Sequence, residues 1–274
     1  MSGQEAEDHK DEEGQEDRYR APALDKGLDI IEMLAGREEG ISQAEIAKVL
    51  GRKPNEIYRM LDRLVRRGYV IRTSVDQYEL SLKIFELGNR HSPFRRLATQ
   101  ALPYLREFAR EAKQACHLVV YDRGALTAIT QVDAPGYWGF GIRTGSRMDL
   151  LNTGSGHVML AFSSANEREF MLRESEDPGS TISAELAQQL TLVRQQGYEM
   201  MPSQQTVGVY NIAVPILANG DKVIAALACP YLQHLDYMNS PSREQVLEQL
   251  KYTVAQIMSS GMPENLRMSE NITP

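Results

Sequence analysis

The sequence lacks most of what would declare a chemistry outright. It has only two cysteines, Cys116 and Cys229, far apart and each within an apolar run, and no CxxC or Cys/His cluster has metal-ligand spacing. Both thiols therefore read as buried core residues, a redox pair being the alternative. No stretch approaches the roughly 18 to 20 consecutive apolar residues of a membrane span, and the acidic N-terminus lacks the basic, apolar and small-residue order of a secretory signal. The expectation is a cytoplasmic protein with no membrane partner. Catalytic signatures are missing too: there is no GxSxG elbow, no Walker loop, no HExxH and no carboxylate pair on a recognisable helix face. The five histidines, at 9, 91, 117, 157 and 234, are scattered and read as surface or hydrogen-bonded side chains rather than bases or ligands. These patterns predict no catalytic residue, no metal site and no cofactor.

Positive charge is also in short supply, with a formal balance of −7 over 274 residues, but it is segregated. Residues 1–19 carry eight acidic and two basic side chains with no apolar periodicity, the composition of a disordered, self-repelling tail. Residues 20–96 hold fifteen basic against eleven acidic side chains, and the remainder thirteen against eighteen. The length suits two domains, each able to bury a core. Only the first of them looks built for nucleic acid.

The most informative stretch is ISQAEIAKVLGRKPNEIYRMLDRLVRRGYVIR, residues 41–72. Ser42 followed by Glu45 is a capping box, with Ile41 and Ile46 placed as a hydrophobic staple. The helix so begun has Ile46, Val49 and Leu50 as its apolar face, and Gly51 ends it. A second helix starts near Pro54 or Asn55, buries Ile57, Leu61, Leu64 and Val65, and shows Asn55, Tyr58, Arg59, Asp62, Arg63 and Arg66 on its other face. Gly68 stops it, and 69–71 with 78–80 alternate as two strands around a polar turn. A preceding helix over 23–34, apolar at Leu24, Leu28, Ile31 and Leu34, completes a three-helix core. Helix, turn, helix, hairpin is a winged helix-turn-helix. Such helix pairs also serve as plain core or protein-docking elements, but residues 52–72 carry seven basic side chains against two acidic ones. A one-sign face opposite an apolar stripe is the footprint of an element that contacts phosphates.

Further along, 82–88 reads as a short helix and 88–96 as the domain hinge. Helices follow over 97–112, 154–162, 167–173 and 184–196, with a last one opened by Ser240 and Pro241 and running to Met258. Strands 116–121 and 126–132 flank an Arg123-Gly124 turn, and 212–217 with 222–229 form a second hairpin. Alternating hairpins and helices predict an α+β domain around one antiparallel sheet. Gly154, Ser155 and Gly156 open a helix, where unpaired N–H groups and the helix dipole favour an anion. Tyr137, Trp138 and Phe140 lie just upstream as a possible apolar wall. Plain helix initiation and core packing are the simpler readings of the same residues taken by themselves.

The blocks RAPALDKGLDIIEML, YELSLKIFELG, GSRMDLLNTGSGHVMLAF, VRQQGYEM, VGVYNIAVPIL and AALACPY, together with the helix-turn-helix, resemble in order and spacing the isocitrate lyase regulator (IclR) family of bacterial transcription factors. The resemblance covers residues 21–260. It implies a winged helix-turn-helix (20–81), a linker helix and hinge (82–96), a GAF-like α/β effector-binding domain (97–260) and a C-terminal tail (261–274). It implies as partners a double-stranded operator DNA, a small organic or aromatic acid as effector, and a second copy of the chain, in a homodimer or dimer of dimers. Carried over by matching blocks, the DNA-facing positions are Lys53, Asn55, Glu56, Tyr58, Arg59, Arg63 and, in the wing, Arg72. The effector-facing positions are Tyr137, Phe140, Met148, Gly154, Ser155, Met201, Asn211, Ala228 and Pro230. Members that bind small polar keto acids have acidic, thiol or hydroxyl groups where this chain has Met201, Asn211, Ala228 and Pro230, which favours an effector with an apolar body and one anionic end. Asn55 for the usual serine and Glu56 for threonine point to a different operator. The reading is a ligand-responsive regulator, a repressor of a catabolic operon. An enzyme that keeps the winged helix as a dimerisation module is the competing class, opposed by the lack of an organised nucleophile or base.

Overall fold

The structure, a computed structural model, describes residues 21–90, 93–137, 139–175, 177, 179–218, 221–233 and 240–261. The acidic tail expected over 1–19, Trp138, His9, His91, His234 and all but the first residue of the expected C-terminal tail lie outside the described residues. The chain divides into two compact units, Met1–His91 and Ser92–Pro274.

The first unit runs α1 (Pro22–Ala35), β1 (Ile41–Ser42), α2 (Gln43–Val49), α3 (Pro54–Arg66), β2 (Val70–Arg72), β3 (Gln77–Leu80) and α4 (Lys83–Arg90). Its three short strands pair antiparallel in the order β1-β3-β2. The capping box forms as the sequence predicts: Ser42 Oγ accepts from the Glu45 N–H, and the Glu45 carboxylate accepts from the Ser42 N–H at 3.0 Å. Two local expectations are corrected. On α1 the buried side chains are Ile30 and Leu34, while Leu24 and Leu28 are exposed, because the partners α1 meets select a stripe displaced from the one that spacing alone suggested. Val49 is exposed and Ala47 takes its place inside. Helix α3 starts at Pro54, one of the two expected starts, with Lys53 at the N-cap and the proline in the first helical position, where a missing N–H costs nothing.

The second unit runs α5 (Pro93–Ala112), β4 (Cys116–Asp122), β5 (Ala125–Val132), β6 (Arg147–Met148), α6 (Gly154–Phe162), α7 (Ala165–Arg173), α8 (Ala184–Gln196), β7 (Glu199–Pro202), β8 (Tyr210–Ala218), β9 (Lys222–Tyr231) and α9 (Arg243–Ser259). The six strands form one antiparallel sheet, ordered β6-β5-β4-β9-β8-β7. Most of the expected hinge is helical, since α4 reaches Arg90 and α5 begins at Pro93. Ser242, not Ser240, caps α9, sharing a capping box with Gln245. Strands β1, β6 and β7 were not legible as such.

Strand alternation splits the core of this unit in two. Cys116, Leu118, Val120, Ile212 and Leu227 pack against α5 and α9 through Leu105, Phe108, Leu250 and Val254. On the other face Val119, Ala213, Ala226 and Ala228 pack with Val158, Leu190 and Val193 of α6 and α8. Alanines on β8 and β9 let α6 lie close to the sheet, and Gly154–Ala161 are all buried. That closeness dictates the glycines. A Cβ at Gly156 would overlap the Leu150 carbonyl, and one at Gly154 would sit 3.1 Å from the Cβ of Asn211. The β4–β5 turn places both Arg123 (φ 43°) and Gly124 (φ 74°) in the left-handed region, as a two-residue type I′ hairpin requires.

Gly156→Ala should therefore destabilise the second unit by about 2–4 kcal/mol, because backbone rather than a yielding side chain opposes the methyl. Urea denaturation followed by circular dichroism reads this; a loss below about 0.5 kcal/mol would show that the 150–156 backbone relaxes freely.

Candidate functional site

In the first unit α3 turns Ile57 and Leu61 inward and its basic side outward. Lys53, Asn55, Tyr58, Arg59 and Arg63 are exposed, with Asn55 and Arg59 one turn apart near the N-terminal end of the helix. The basic residues divide by whether a carboxylate already holds them. Arg66 is bound to Asp62 at 2.9 Å and Arg52 to Asp29 at 3.7 Å. Arg72 is paired with Asp76 across the wing turn and lies over the Tyr78 ring, 5.9 Å from its centroid. Glu56 accepts from Lys26 of α1 at 2.7 Å, and that contact holds its carboxyl below the usual range. Glu56 thus ties α3 to α1. Among the described residues, Lys53, Arg59, Arg63 and Arg67 form no direct ion pair with a carboxylate, and Lys53 acts on Glu56 only through its field. They can meet a phosphate without first breaking an ion pair.

In the second unit a cavity of about 40 Å³ lies where the N-terminus of α6 meets β4, β8 and β9. It is lined by His117, Phe140, Ile142, Met148, Thr153, Gly154, Ser155, Ser203, Gln205, Thr206, Asn211, Ala228, Cys229 and Pro230. Seven of the nine predicted effector-facing residues are among them; Tyr137 and Met201 are not. Tyr137 is 86% exposed, for only the later part of its loop, Phe140 and Ile142, turns in. Met201 stands opposite Asn211 on the edge strand β7, and the wall there comes from Ser203, Gln205 and Thr206 beyond the strand end. The helix start also offers fewer donors than expected. Thr153 caps α6, its Oγ1 accepting from the Gly156 N–H at 3.0 Å and donating to the Asp149 carbonyl at 2.6 Å. The first-turn N–H groups of Gly154 and Ser155 remain.

His117 is the lining residue that sequence reasoning passed over. It is 5% exposed and its Nδ1 has no hydrogen-bond partner among the described residues. Burial pushes its imidazole down to about 4, so the ring is neutral near pH 7. The signal was present in CHLVV, because Cys116 and Leu118 face α5 and the residue between them must face α6. Both cysteines are free, and burial pushes the Cys116 thiol up to about 12 and raises that of Cys229. A larger cavity of about 260 Å³ lies beyond Met148, but its polar groups are already engaged. There Arg147 donates to the Arg123 carbonyl at 2.8 Å, and Asp149 accepts from the N–H groups of Leu151 and Asn152, each at 2.7 Å.

Beneath α6 lies Glu199, 0% exposed. Its carboxylate accepts from the Met200 N–H at 2.9 Å and from Gln189 Nε2 at 3.0 Å, and meets His157 Nδ1 at 2.8 Å. His157 Nε2 lies 2.8 Å from the Leu151 carbonyl, which can only accept, so Nε2 carries a hydrogen. Both ring nitrogens of His157 are occupied, in keeping with its reading as a hydrogen-bonded histidine. The described residues contain no group of His, Cys, Asp and Glu able to hold a metal ion and no helix long and apolar enough to cross a membrane.

Winged helices with an unpaired basic face, carried ahead of a sheet domain with a lined cavity, are the parts of a transcription regulator. Comparison with known proteins narrows that class. The profile of the IclR helix-turn-helix domain matches residues 23–74, and that of the bacterial transcriptional regulator IclR C-terminal domain matches residues 94–259. The chain belongs to the IclR family of bacterial transcriptional regulators. It is 30% identical over 202 residues to the HTH-type transcriptional regulator KdgR of Dickeya chrysanthemi, a match covering 72% of this chain and 66% of that protein. It is 27% identical over 257 residues to the HTH-type transcriptional regulator BhcR of Paracoccus denitrificans, covering 91% and 90%. An IclR homolog from Microbacterium hydrocarbonoxydans, solved in complex with 4-hydroxybenzoate, superposes with a TM-score of 0.70 at 21% identity, covering 86% of this chain and 98% of that one. The fold is thus the α+β arrangement read from the sequence.

Removing one member of the Glu199 cluster strands the others. Glu199→Ala should cost the second unit about 3–5 kcal/mol, and replacing Glu199 and His157 together by leucine should recover much of that. Chemical denaturation of both variants decides; a double variant as unstable as the single one would show that packing volume, not the stranded imidazole, sets the loss.

Proposed function

We propose that the protein is a ligand-responsive repressor that holds an operator through the winged helices of a homodimer or dimer of dimers and releases it when a small organic acid enters the cavity beneath α6. The observation that carries this reading is that exposed cations on and beside α3 stand without a direct ion pair. Lys53, Arg59 and Arg63, with Asn55 and Tyr58 between them, suit insertion of the N-terminal half of α3 into a major groove. Arg72 suits a backbone contact from the wing, and Glu56 braces α3 from behind. One winged helix gives little specific contact, whereas two on a symmetric assembly read a palindrome. A cytoplasmic location follows from the need to reach DNA.

For the effector, Gly154 and Ser155 suit a carboxylate, and Phe140, Ile142, Met148, Ala228 and Pro230 suit an apolar body. The compound bound by the Microbacterium relative, 4-hydroxybenzoate, has that chemistry. At about 40 Å³ the cavity must widen for an aromatic acid, and the thioether of Met148 is the side chain best able to yield. The lining suits binding rather than turnover, because no hydroxyl or thiol in it is paired with a base among the described residues.

Operator affinity measured by fluorescence anisotropy tests the DNA face. Arg59→Ala should lose about 1–3 kcal/mol, while Arg66→Ala, whose charge Asp62 already holds, should lose under about 0.5 kcal/mol. Equal effects of the two would remove the distinction between paired and unpaired cations. Operator titrations with and without metabolites of neighbouring catabolic genes test the cavity. The wild type should shift by about 1–3 kcal/mol with its effector, whereas Gly154→Val should bind the operator normally and not respond. A fully responsive variant would place the effector elsewhere.

A further inference from the structure

Among the described residues, no lysine or arginine lines the cavity beneath α6, and its donors are neutral: the N–H groups of Gly154 and Ser155, the hydroxyls of Ser155, Ser203 and Thr206, and the amides of Gln205 and Asn211. Moving a carboxylate from water into such a place is costly unless a positive charge accompanies it. His117 borders the same space as the α6 N-terminus, buried, with Nδ1 unpartnered among the described residues. A buried polar atom left without a partner is uncommon and calls for a reason.

We propose that the cavity takes a monocarboxylate together with one proton, the neutral imidazole of His117 becoming an imidazolium that pairs with the carboxylate held at the first turn of α6. This rests on the cavity being the effector site and adds to it a chemical class and a dependence on pH. The proton is drawn from solvent. No covalent bond in the ligand forms or breaks, and the anion and the new cation enter the site as a neutral pair.

The groups around His117 leave that role open to the ligand. Cys116 beside it and Cys229 on β9 are kept as neutral thiols by burial. Tyr121, farther along β4, donates to Glu174, and Tyr210 on β8 lies under Arg243. His157 on α6 and Glu199 on β7 face each other, Asp133 beyond β5 accepts from Gln131, and Asp149 before α6 accepts from backbone N–H groups. The depressed basicity of His117 comes from burial alone, with no charged neighbour contributing. An arriving carboxylate would be its first counter-ion.

The sign follows by linkage. Protonation is favoured in the complex, so the imidazole is more basic with ligand than without. Affinity therefore rises as pH falls from the bound-state value toward about 4, with a limiting slope of about tenfold per pH unit. Above the bound-state value it levels off. A site that holds the anion by neutral donors alone has no such slope while the ligand stays ionised.

Calorimetric titration of the full-length protein with acetate, pyruvate, benzoate and 4-hydroxybenzoate, from about pH 8 to about pH 5.5 in two buffers of different ionisation enthalpy, tests this. The expected result is a several-fold gain in affinity per unit fall in pH, with uptake approaching one proton per ligand in the steep range. His117→Gln should bind more weakly at low pH and show neither slope nor uptake. Because that variant can also fail by misfolding, proton uptake by the wild type is the independent measure. Binding with no uptake and no slope overturns the role of His117 and leaves the cavity standing as the effector site. No binding by any of the four acids overturns the monocarboxylate assignment. The comparison of wild type with Gly154→Val on operator DNA then decides separately whether the cavity senses a ligand of another kind.

Discussion

Glu199 sits wholly inside the second unit with a backbone amide, a glutamine and a histidine converging on its carboxyl group, and the cavity wall is arranged around that burial. A polar group out of water persists only when its hydrogen-bonding atoms are met. Meeting them ties α6, through His157, and α8, through Gln189, to the edge strand β7. The far nitrogen of His157 fastens the 149–152 loop through the Leu151 carbonyl. Gly154 rests directly above, where a Cβ would lie 3.5 Å from Glu199 Cγ. The start of α6 is therefore held from below by a polar cluster and from the side by the Leu150 backbone, and its first-turn N–H groups are aimed before any ligand arrives.

The first unit uses charge in the opposite way. Lys26–Glu56 and Arg52–Asp29 link separate elements, and Arg72–Asp76 closes the wing turn. Exposed pairs of this kind add little stability, but they sort the basic side chains into those committed to the fold and those left for another molecule. A net positive composition alone would not separate Arg63 from Arg66. Their neighbours do.

What was legible in the sequence was local or periodic. The Ser42 capping box, the Gly51 and Pro54 punctuation between the two helices and the Arg123-Gly124 turn depend on residues a few positions apart, and each formed. What was not legible depended on partners distant in the chain. The buried stripe of α1 is set by what packs on it, so Ile30 replaced the expected Leu28. EMMP has no alternation to mark β7 as a strand; it becomes one because β8 is there to pair with it. Gly156 looked like an anion donor and is instead a clearance for Leu150. His117 could be assigned to a sheet face from its neighbours, but its want of a partner is a property of the assembled cavity.

Met148 borders both the small cavity under α6 and the larger one beyond it, and the strand that carries it is two residues long and pairs only with β5 among the described strands. The side chain is thus a partition between a tight chamber and a roomy one, hung from the weakest rung of the sheet. On the proposed function, a guest too large for the first chamber would press that partition toward the second. The second chamber reaches Leu172 at the end of α7, so the bulk of such a guest would be felt at a helix that the first chamber does not touch.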